Sequence, residues 1–151
     1  MSTGLGLSTP VLAPLLPITG TFALPFSAYF TLLSYRVVHY RLQDEHYLGD
    51  NSSKTGDLNN KLYLATRCHQ NFLENVPLGI TLAALAELNG GNRKTIAAAL
   101  STLFVLRVLH AEAGLINGMG LGRPVGYWGT LATIGSLAGY AAYLVKGYWG
   151  L

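Results

Sequence analysis

Four long apolar stretches separated by short polar segments constrain this chain more than any other feature. The membrane spans that they predict cover approximately residues 18–40, 67–88, 95–116 and 125–145, and the helix that contains the second span is expected to begin near residue 60 or 62. Each span has about 20 residues, which is enough for a helix to cross about 30 Å of hydrocarbon. Half of the residues are hydrophobic, only 11% are charged, and the mean hydropathy is +0.34. We therefore predict an all-α fold: a single domain over residues 1–151, built as an integral membrane four-helix bundle.

The polar segments between the spans indicate where the helices begin and end. Pro14 or Pro17 suits the first turn of the first helix, and Pro25 inside it is tolerated in a membrane helix. Residues 41–61 are rich in Asp, Asn, Ser and Gly and predict a loop in water. The fourth span contains two glycines at the Gly-x-x-x-Gly spacing, Gly135 and Gly139, which allows close helix contact within the bundle or between subunits.

Lysine and arginine concentrate at one end of the predicted helices. The positive-inside rule then places the polar loop and Arg123 in the cytoplasm and both termini on the other side. The sequon at Asn51 lies in that cytoplasmic loop, so we expect it to stay unglycosylated. The N-terminal residues 1–17 lack a basic region and do not resemble a cleavable signal peptide. Cys68 is the only cysteine, so no internal disulfide is possible, and we interpret it as a small space-filling residue. The histidines lack ligand spacing for a metal, and no basic run or zinc motif indicates nucleic acid.

Three polar residues stand on one face at the start of the second span. Arg67, Asn71 and Glu74 are at positions i, i+4 and i+7, which lie on the same side of a helix. Ionisable groups in membrane segments are costly and usually face a protein interior or a wet cavity. The alternative interpretation is that Arg67 and Glu74 are interfacial charges that extend to water.

Further polar side chains are expected in the same half of the bundle. They are Arg36 near the end of the first helix, Arg107 and His110 in the third helix, and Arg123 and Tyr127 at the start of the fourth. Arg107 lies roughly 18 Å along its helix, where an arginine costs a few kcal/mol unless it is paired. We expect its partner to be Glu74, Glu112 or an anionic ligand. His110 also fits a buried core histidine, and Tyr127 also fits an aromatic residue at the membrane interface.

Surplus arginine beside one carboxylate and one amide suits a ligand with several carboxylates and an ammonium group. Arginine binds carboxylates through two parallel hydrogen bonds, and Glu74 would bind the amine. Glutathione has this set of groups, together with a thiol whose pKa a nearby arginine would lower. Other acidic peptides and lipid headgroups fit the same chemistry.

The motif Arg67-x-x-x-Asn71-x-x-Glu74-x-x-Pro77 resembles the second-helix signature of the MAPEG family, the membrane-associated proteins in eicosanoid and glutathione metabolism. The resemblance extends over nearly the whole chain, through Arg36, Arg107-x-x-His110 and Arg123-x-x-x-Tyr127. The segments 48–50 and 71–78 are most similar to the bacterial-type branch of the family.

The resemblance implies a homotrimer with glutathione bound between neighbouring subunits and open to the cytoplasm. The glutathione-binding residues would be Arg36, Arg67, Asn71, Glu74, Arg107, His110 and Tyr127, and Arg123 would be the catalytic residue that stabilises the thiolate. The reaction would be glutathione transfer to a lipophilic electrophile or glutathione-dependent peroxide reduction. The expected location is the endoplasmic reticulum or another endomembrane, with a bacterial inner membrane as the alternative.

Three positions depart from the pattern of glutathione-active members of the family. Asn75 and Gly114 stand where tyrosine is frequent, and Pro124 stands where some members carry a serine proposed to act in catalysis. Glutathione binding is therefore better supported than turnover. Two other functions stay open: a non-enzymatic membrane interaction protein of the same fold, and a small transporter that uses Arg107, Glu74 and His110.

Overall fold

The computed structural model describes residues 14–50, 60–116 and 120–150. Helix α1 covers Pro17–Gln43, α2 covers Lys61–Leu88, α3 covers Arg93–Val108 and continues as a π-helix over Leu109–Ile116, and α4 covers Gly122–Leu144. A short 3₁₀ helix, Lys146–Trp149, follows α4. No strand occurs in these ranges, so the predicted all-α four-helix bundle is confirmed. The predictions for residues 1–13 and for the sequon at Asn51 lie outside the described residues.

Asparagine side chains cap the N-termini of two helices, α2 and α3. The side-chain oxygen of Asn60 accepts a hydrogen bond from the backbone N–H of Tyr63 at 3.0 Å, which caps α2. Asn92 caps α3 in the same way through Lys94 N at 2.9 Å and Thr95 N at 3.3 Å. Asparagine is favoured at this position because its oxygen satisfies amides that have no partner within the helix.

Helix α1 begins without a side-chain cap of its own, because Leu16 precedes it. Its first amides are satisfied from α2 instead. The carboxylate of Glu87 accepts hydrogen bonds from Ile18 N at 2.7 Å, Thr19 N at 2.8 Å and Thr19 Oγ1 at 2.7 Å. A negative charge at a helix N-terminus is also favoured by the helix dipole, so Glu87 joins α1 to the far end of α2.

The core is formed mainly by side chains of α1, α2 and α3, and α4 contributes the buried Leu137. Aromatic rings occupy its middle: the ring centroids of Phe26 and Phe104 are 5.4 Å apart at 84°, and those of Tyr29 and Phe72 are 5.7 Å apart at 62°. Edge-to-face contacts of this kind add to the energy of apolar burial. Leu33, among the most buried residues, belongs to the same cluster.

The third and fourth helices approach closely because glycine lies between them. A Cβ at Gly126 would lie 2.5 Å from the Cβ of His110 and 2.8 Å from the carbonyl oxygen of Leu106. By contrast, a Cβ at Gly135 or at Gly139 would have no atom of the described residues within 4 Å. The Gly-x-x-x-Gly motif therefore makes no contact of this kind within the bundle, which leaves contact between subunits as its predicted use.

One helix in the described part of the chain, Arg93–Ile116, is long and apolar enough to cross a membrane by length and composition. It has 24 residues and a mean hydropathy of 1.5. It corresponds to the third predicted span. The membrane-crossing role of the other three helices stays a prediction.

Candidate functional site

A cleft of about 630 Å³ lies between the start of α2, the π-helical end of α3 and the start of α4. Five of the eight predicted site residues line it: Arg67, Asn71, His110, Arg123 and Tyr127. The other residues in its walls are Tyr63, Leu64, Leu115, Pro124 and Trp128. The structure thus brings polar residues from three helices, far apart in sequence, to one cleft.

Arg67 and Asn71 face the cleft from successive turns of α2. Arg67 is exposed, and its guanidinium donates to the side-chain oxygen of Gln70 at 3.2 Å. Asn71 is half-buried, and its Oδ1 accepts a hydrogen bond from Arg107 at 2.6 Å. Asn71 therefore stands between the cleft and the buried arginine behind it.

Arg107 is buried, with 3% of its surface exposed, and it does not line the cleft. Besides the bond to Asn71, its guanidinium donates to the carbonyl oxygen of Gly126 at 2.6 Å. The expectation of Glu74 or Glu112 as its partner is wrong. Arg107 instead reaches a neutral amide on α2 and a backbone carbonyl on α4, so it ties three helices together.

His110 is buried and also lines the cleft. Its ring Nδ1 lies 2.9 Å from the carbonyl oxygen of Arg123. Because a carbonyl only accepts, Nδ1 carries the proton, and a neutral ring then leaves Nε2 as an acceptor. His110 thereby holds the first turn of α4, the turn that carries Arg123.

Gly114 explains one departure from the family pattern. A Cβ at this position would lie 2.5 Å from the backbone nitrogen of Arg123 and 2.9 Å from the carbonyl carbon of Gly122. A tyrosine does not fit here, because the start of α4 occupies the space. The close packing that excludes this side chain brings Arg123 directly against α3.

Besides Arg107, two predicted site residues do not line the cleft of their own chain. Arg36 lines a neighbouring cavity, where its NH1 forms an ion pair with Glu112 Oε1 at 2.5 Å. Glu74 is exposed on α2 and is absent from the walls of both cavities. Their contact with glutathione stays a prediction.

A model of the MAPEG family matches residues 19–143, most of the described helices. The chain belongs to the MAPEG family. Neither a curated protein nor a solved structure matches it. Membership indicates a membrane protein with a function related to glutathione transfer or eicosanoid metabolism.

Several residues of this MAPEG protein's cleft were not predicted from its sequence. Tyr63 precedes Arg67 by four residues, so helical spacing alone would have placed it on the same face. Leu115 and Trp128 have no comparable local signal. They reach the cleft because the π-helix and α4 pack together, which is a property of the tertiary structure.

Proposed function

We propose that the cleft binds glutathione and that the protein is a glutathione transferase or glutathione-dependent peroxidase acting on lipophilic electrophiles. The observation that carries this proposal is the convergence of Arg67, Asn71, His110, Arg123 and Tyr127 on one cleft. Family membership supports it independently, because the family is associated with glutathione.

The composition of the cleft suits an anionic ligand. Two arginines, Arg67 and Arg123, line it, and none of the described residues in its lining is a carboxylate. Arginine pairs with carboxylates through parallel hydrogen bonds, and glutathione has two carboxylates. The volume of about 630 Å³ falls within the range of roughly 300–1,000 Å³ that is usual for small-molecule sites.

In this mechanism Arg123 stabilises the glutathione thiolate. The thiol proton leaves to water through the open cleft, and the positive guanidinium favours the anion that remains. The sulfur lone pair then attacks an electrophilic carbon; a carbon–sulfur bond forms while the leaving group departs with its electron pair. With a peroxide, the thiolate attacks one oxygen: an S–O bond forms as the O–O bond breaks, and the alkoxide leaves with the electron pair and takes a proton from water. The thiolate of a second glutathione then attacks the sulfur of the sulfenic acid, which forms glutathione disulfide as hydroxide leaves.

The lipophilic partner would lie against the apolar part of the cleft. Leu64, Leu115 and Trp128 provide this surface, and Trp128 is 68% exposed. An electrophile dissolved in the bilayer could reach it without crossing water. His110 and Arg107 act from behind: they hold the backbone of α4 and thereby position Arg123 and Tyr127.

The proposed assembly is a homotrimer in which glutathione lies between neighbouring subunits. Arg36 and Glu74, which do not line the cleft of their own chain, would then approach it from the adjacent subunit. Gly135 and Gly139 are exposed, and a Cβ at either position would have no close contact with a described residue, which supports a contact between subunits. We place the protein in the endoplasmic reticulum or another endomembrane, or in a bacterial inner membrane, with the cleft open to the cytoplasm.

The proposal is tested by titrating detergent-purified protein with glutathione while following thiolate absorbance. Wild type is expected to give saturable thiolate formation, and Arg123→Ala is expected to lose it. Arg93→Ala is the matched control, because Arg93 is an exposed arginine at the opposite end of α3. Calorimetry on the same samples shows whether glutathione binds without ionising. Absence of binding to the wild type refutes the proposal.

A non-enzymatic interaction protein is the second candidate function. The observation that favours it is that Arg36 and Arg107 both have partners within the described chain, the first in Glu112 and the second in Asn71 and Gly126. The ion pair of Arg36 and the hydrogen bonds of Arg107 NH1 and NH2 form without a ligand, whereas the buried Nε of Arg107 has no hydrogen-bond partner among the described residues. Absence of glutathione binding in the same titration would favour this function.

A further inference from the structure

A second cavity, of about 320 Å³, lies beside the cleft, and Leu64 lines both. Its walls come from the end of α1, the start of α2 and the π-helical end of α3. Four polar residues contribute to it: Arg36, Tyr40, Lys61 and Glu112. Among the described residues, this cavity therefore combines one carboxylate with two cations, whereas the proposed glutathione cleft has no carboxylate in its lining.

The carboxylate of Glu112 is held in a defined orientation. Its Oε1 accepts hydrogen bonds from Arg36 NH1 at 2.5 Å and from the hydroxyl of Tyr29 at 3.0 Å. Within the described ranges, Oε2 accepts no hydrogen bond, and the side chain is 35% exposed. A carboxylate fixed through one oxygen presents the other as an acceptor to a ligand in the cavity.

Lys61 provides the complementary charge. It is exposed at the first turn of α2 and lines the cavity, and it forms no ion pair with any described residue. The half-buried Tyr40 lies in the same wall. Glu112 can accept N–H bonds from a primary ammonium group, while Lys61 attracts a phosphate or carboxylate of the same molecule.

The remaining walls are apolar and lie at the end of the bundle where the helices meet the polar loop. Leu64 and Ala65 are buried, and Ile116 is 39% exposed at the rim. Tyrosine and lysine are typical of the boundary between bilayer and water. A ligand at this level can place its headgroup in the cavity and its acyl chains against the outside of the bundle.

We propose that the second cavity binds the headgroup of a phospholipid with a primary ammonium group, as in phosphatidylethanolamine. The ammonium donates hydrogen bonds to Glu112 Oε2, and the phosphate lies beside Lys61. Arg36 and Tyr29 act as positioning residues through their bonds to Oε1. A trimethylated ammonium has no N–H to donate, so the site discriminates against phosphatidylcholine. This site shares Arg36 with the glutathione site proposed for the adjacent subunit, and the Arg123→Ala variant distinguishes the two proposals.

The test is native mass spectrometry of the detergent-purified full chain with three phospholipids of identical acyl chains. Phosphatidylethanolamine is compared with phosphatidylcholine, which lacks the N–H donors, and with phosphatidylglycerol, which lacks the ammonium. We expect wild type to retain phosphatidylethanolamine on the order of tenfold better than phosphatidylcholine. Glu112→Gln is expected to reduce this preference severalfold, and Lys61→Gln to weaken retention of all three lipids.

Matched controls are available at sites outside the cavity. Glu45→Gln makes the same chemical change at an exposed residue near the same end of the molecule, and Lys146→Gln does so at the opposite end. Both should retain the wild-type preference. Thermal melting of Glu112→Gln shows whether the variant is folded, and Lys61→Gln, at an exposed residue, provides an independent test.

Three outcomes would overturn the assignment. Equal retention of phosphatidylethanolamine and phosphatidylcholine by wild type would show that the cavity does not recognise a primary ammonium group. If Glu112→Gln keeps the full preference for phosphatidylethanolamine over phosphatidylcholine, a group other than Glu112 binds the ammonium. Displacement of the lipid by glutathione from an Arg67→Ala protein shows that the cavity takes the amino-acid end of a soluble peptide. Arg123→Ala separates the two proposals, because it should lose thiolate formation and keep the lipid preference.

Discussion

Gly114→Ala should displace the first turn of α4 and with it Arg123. The added Cβ would lie 2.5 Å from Arg123 N, 2.8 Å from its Cα and 2.9 Å from the carbonyl carbon of Gly122. All three atoms belong to the backbone, so no side-chain rotation relieves the contact. Ordinary contact begins near 3.4 Å, and α4 must therefore move by the difference, about 0.9 Å.

The size of the effect follows from this displacement. Overpacking of a tight contact costs about 1–3 kcal/mol, and alanine recovers at most about 1 kcal/mol through its higher helix propensity. We expect the free energy of unfolding to fall by roughly 1–2 kcal/mol. The functional loss should be larger, because a misplacement of about 1 Å in a reacting geometry can reduce a rate about 100-fold.

Two measurements on one detergent preparation test this prediction. Thermal melting reports stability, and glutathione thiolate absorbance reports the position of Arg123. Gly20→Ala, near the start of α1, is the matched control, since a Cβ there would have no atom of the described residues within 4 Å, and it should leave both readings unchanged. Wild-type thiolate formation in Gly114→Ala, or an equal loss in Gly20→Ala, would refute the reasoning.

Three further predictions concern the contacts between helices. Glu87→Ala removes three hydrogen bonds from the start of α1. Its free energy of unfolding, measured in mixed micelles, should fall by about 2–3 kcal/mol, and that of Thr19→Val should fall by about 1 kcal/mol. If both variants lose the same amount, the backbone bonds to Glu87 contribute nothing. Arg107→Lys keeps the charge but cannot span acceptors on two helices, so its melting temperature should fall, as for a loss of about 1–3 kcal/mol; an unchanged melt contradicts the bracing role. Tyr140→Phe removes the 2.7 Å bond from Asn92 N to the Tyr140 hydroxyl and should accelerate hydrogen exchange of that amide. Exchange at the wild-type rate would show that water replaces the hydroxyl without cost.

Helical spacing alone predicted much of the candidate site. Arg67 and Asn71 line the cleft together because positions four apart share a helix face. Arg123 and Tyr127 follow the same spacing at the start of α4. Spacing says nothing, however, about how helices are placed around one another, and for that reason the lining residues Leu115 and Trp128 were missed.

The sequence did not correctly predict which residues Arg107 and Glu112 contact. Glu112 was expected near Arg107 because both lie on one helix, yet Glu112 pairs with Arg36 on α1. The side chain of Arg107 leads instead to α2 and α4. The π-helical geometry of residues 109–116 also changes the angle between successive side chains relative to an α-helix. No pattern in the sequence predicted this π-helical segment.

The amino-acid sequence by itself determined the four helices, their limits to within a few residues and the polar stripe at one end of the bundle. These features depend on apolar periodicity, caps such as Asn60 and Asn92, and turn residues, all of which act over a few positions. Only the tertiary structure decided that Glu87 caps α1, that Gly114 must lack a side chain, and that a second, carboxylate-bearing cavity lies beside the cleft. These features depend on atoms that are distant in sequence and meet only when the helices pack, since hydrogen bonds and steric contacts act over a few ångströms.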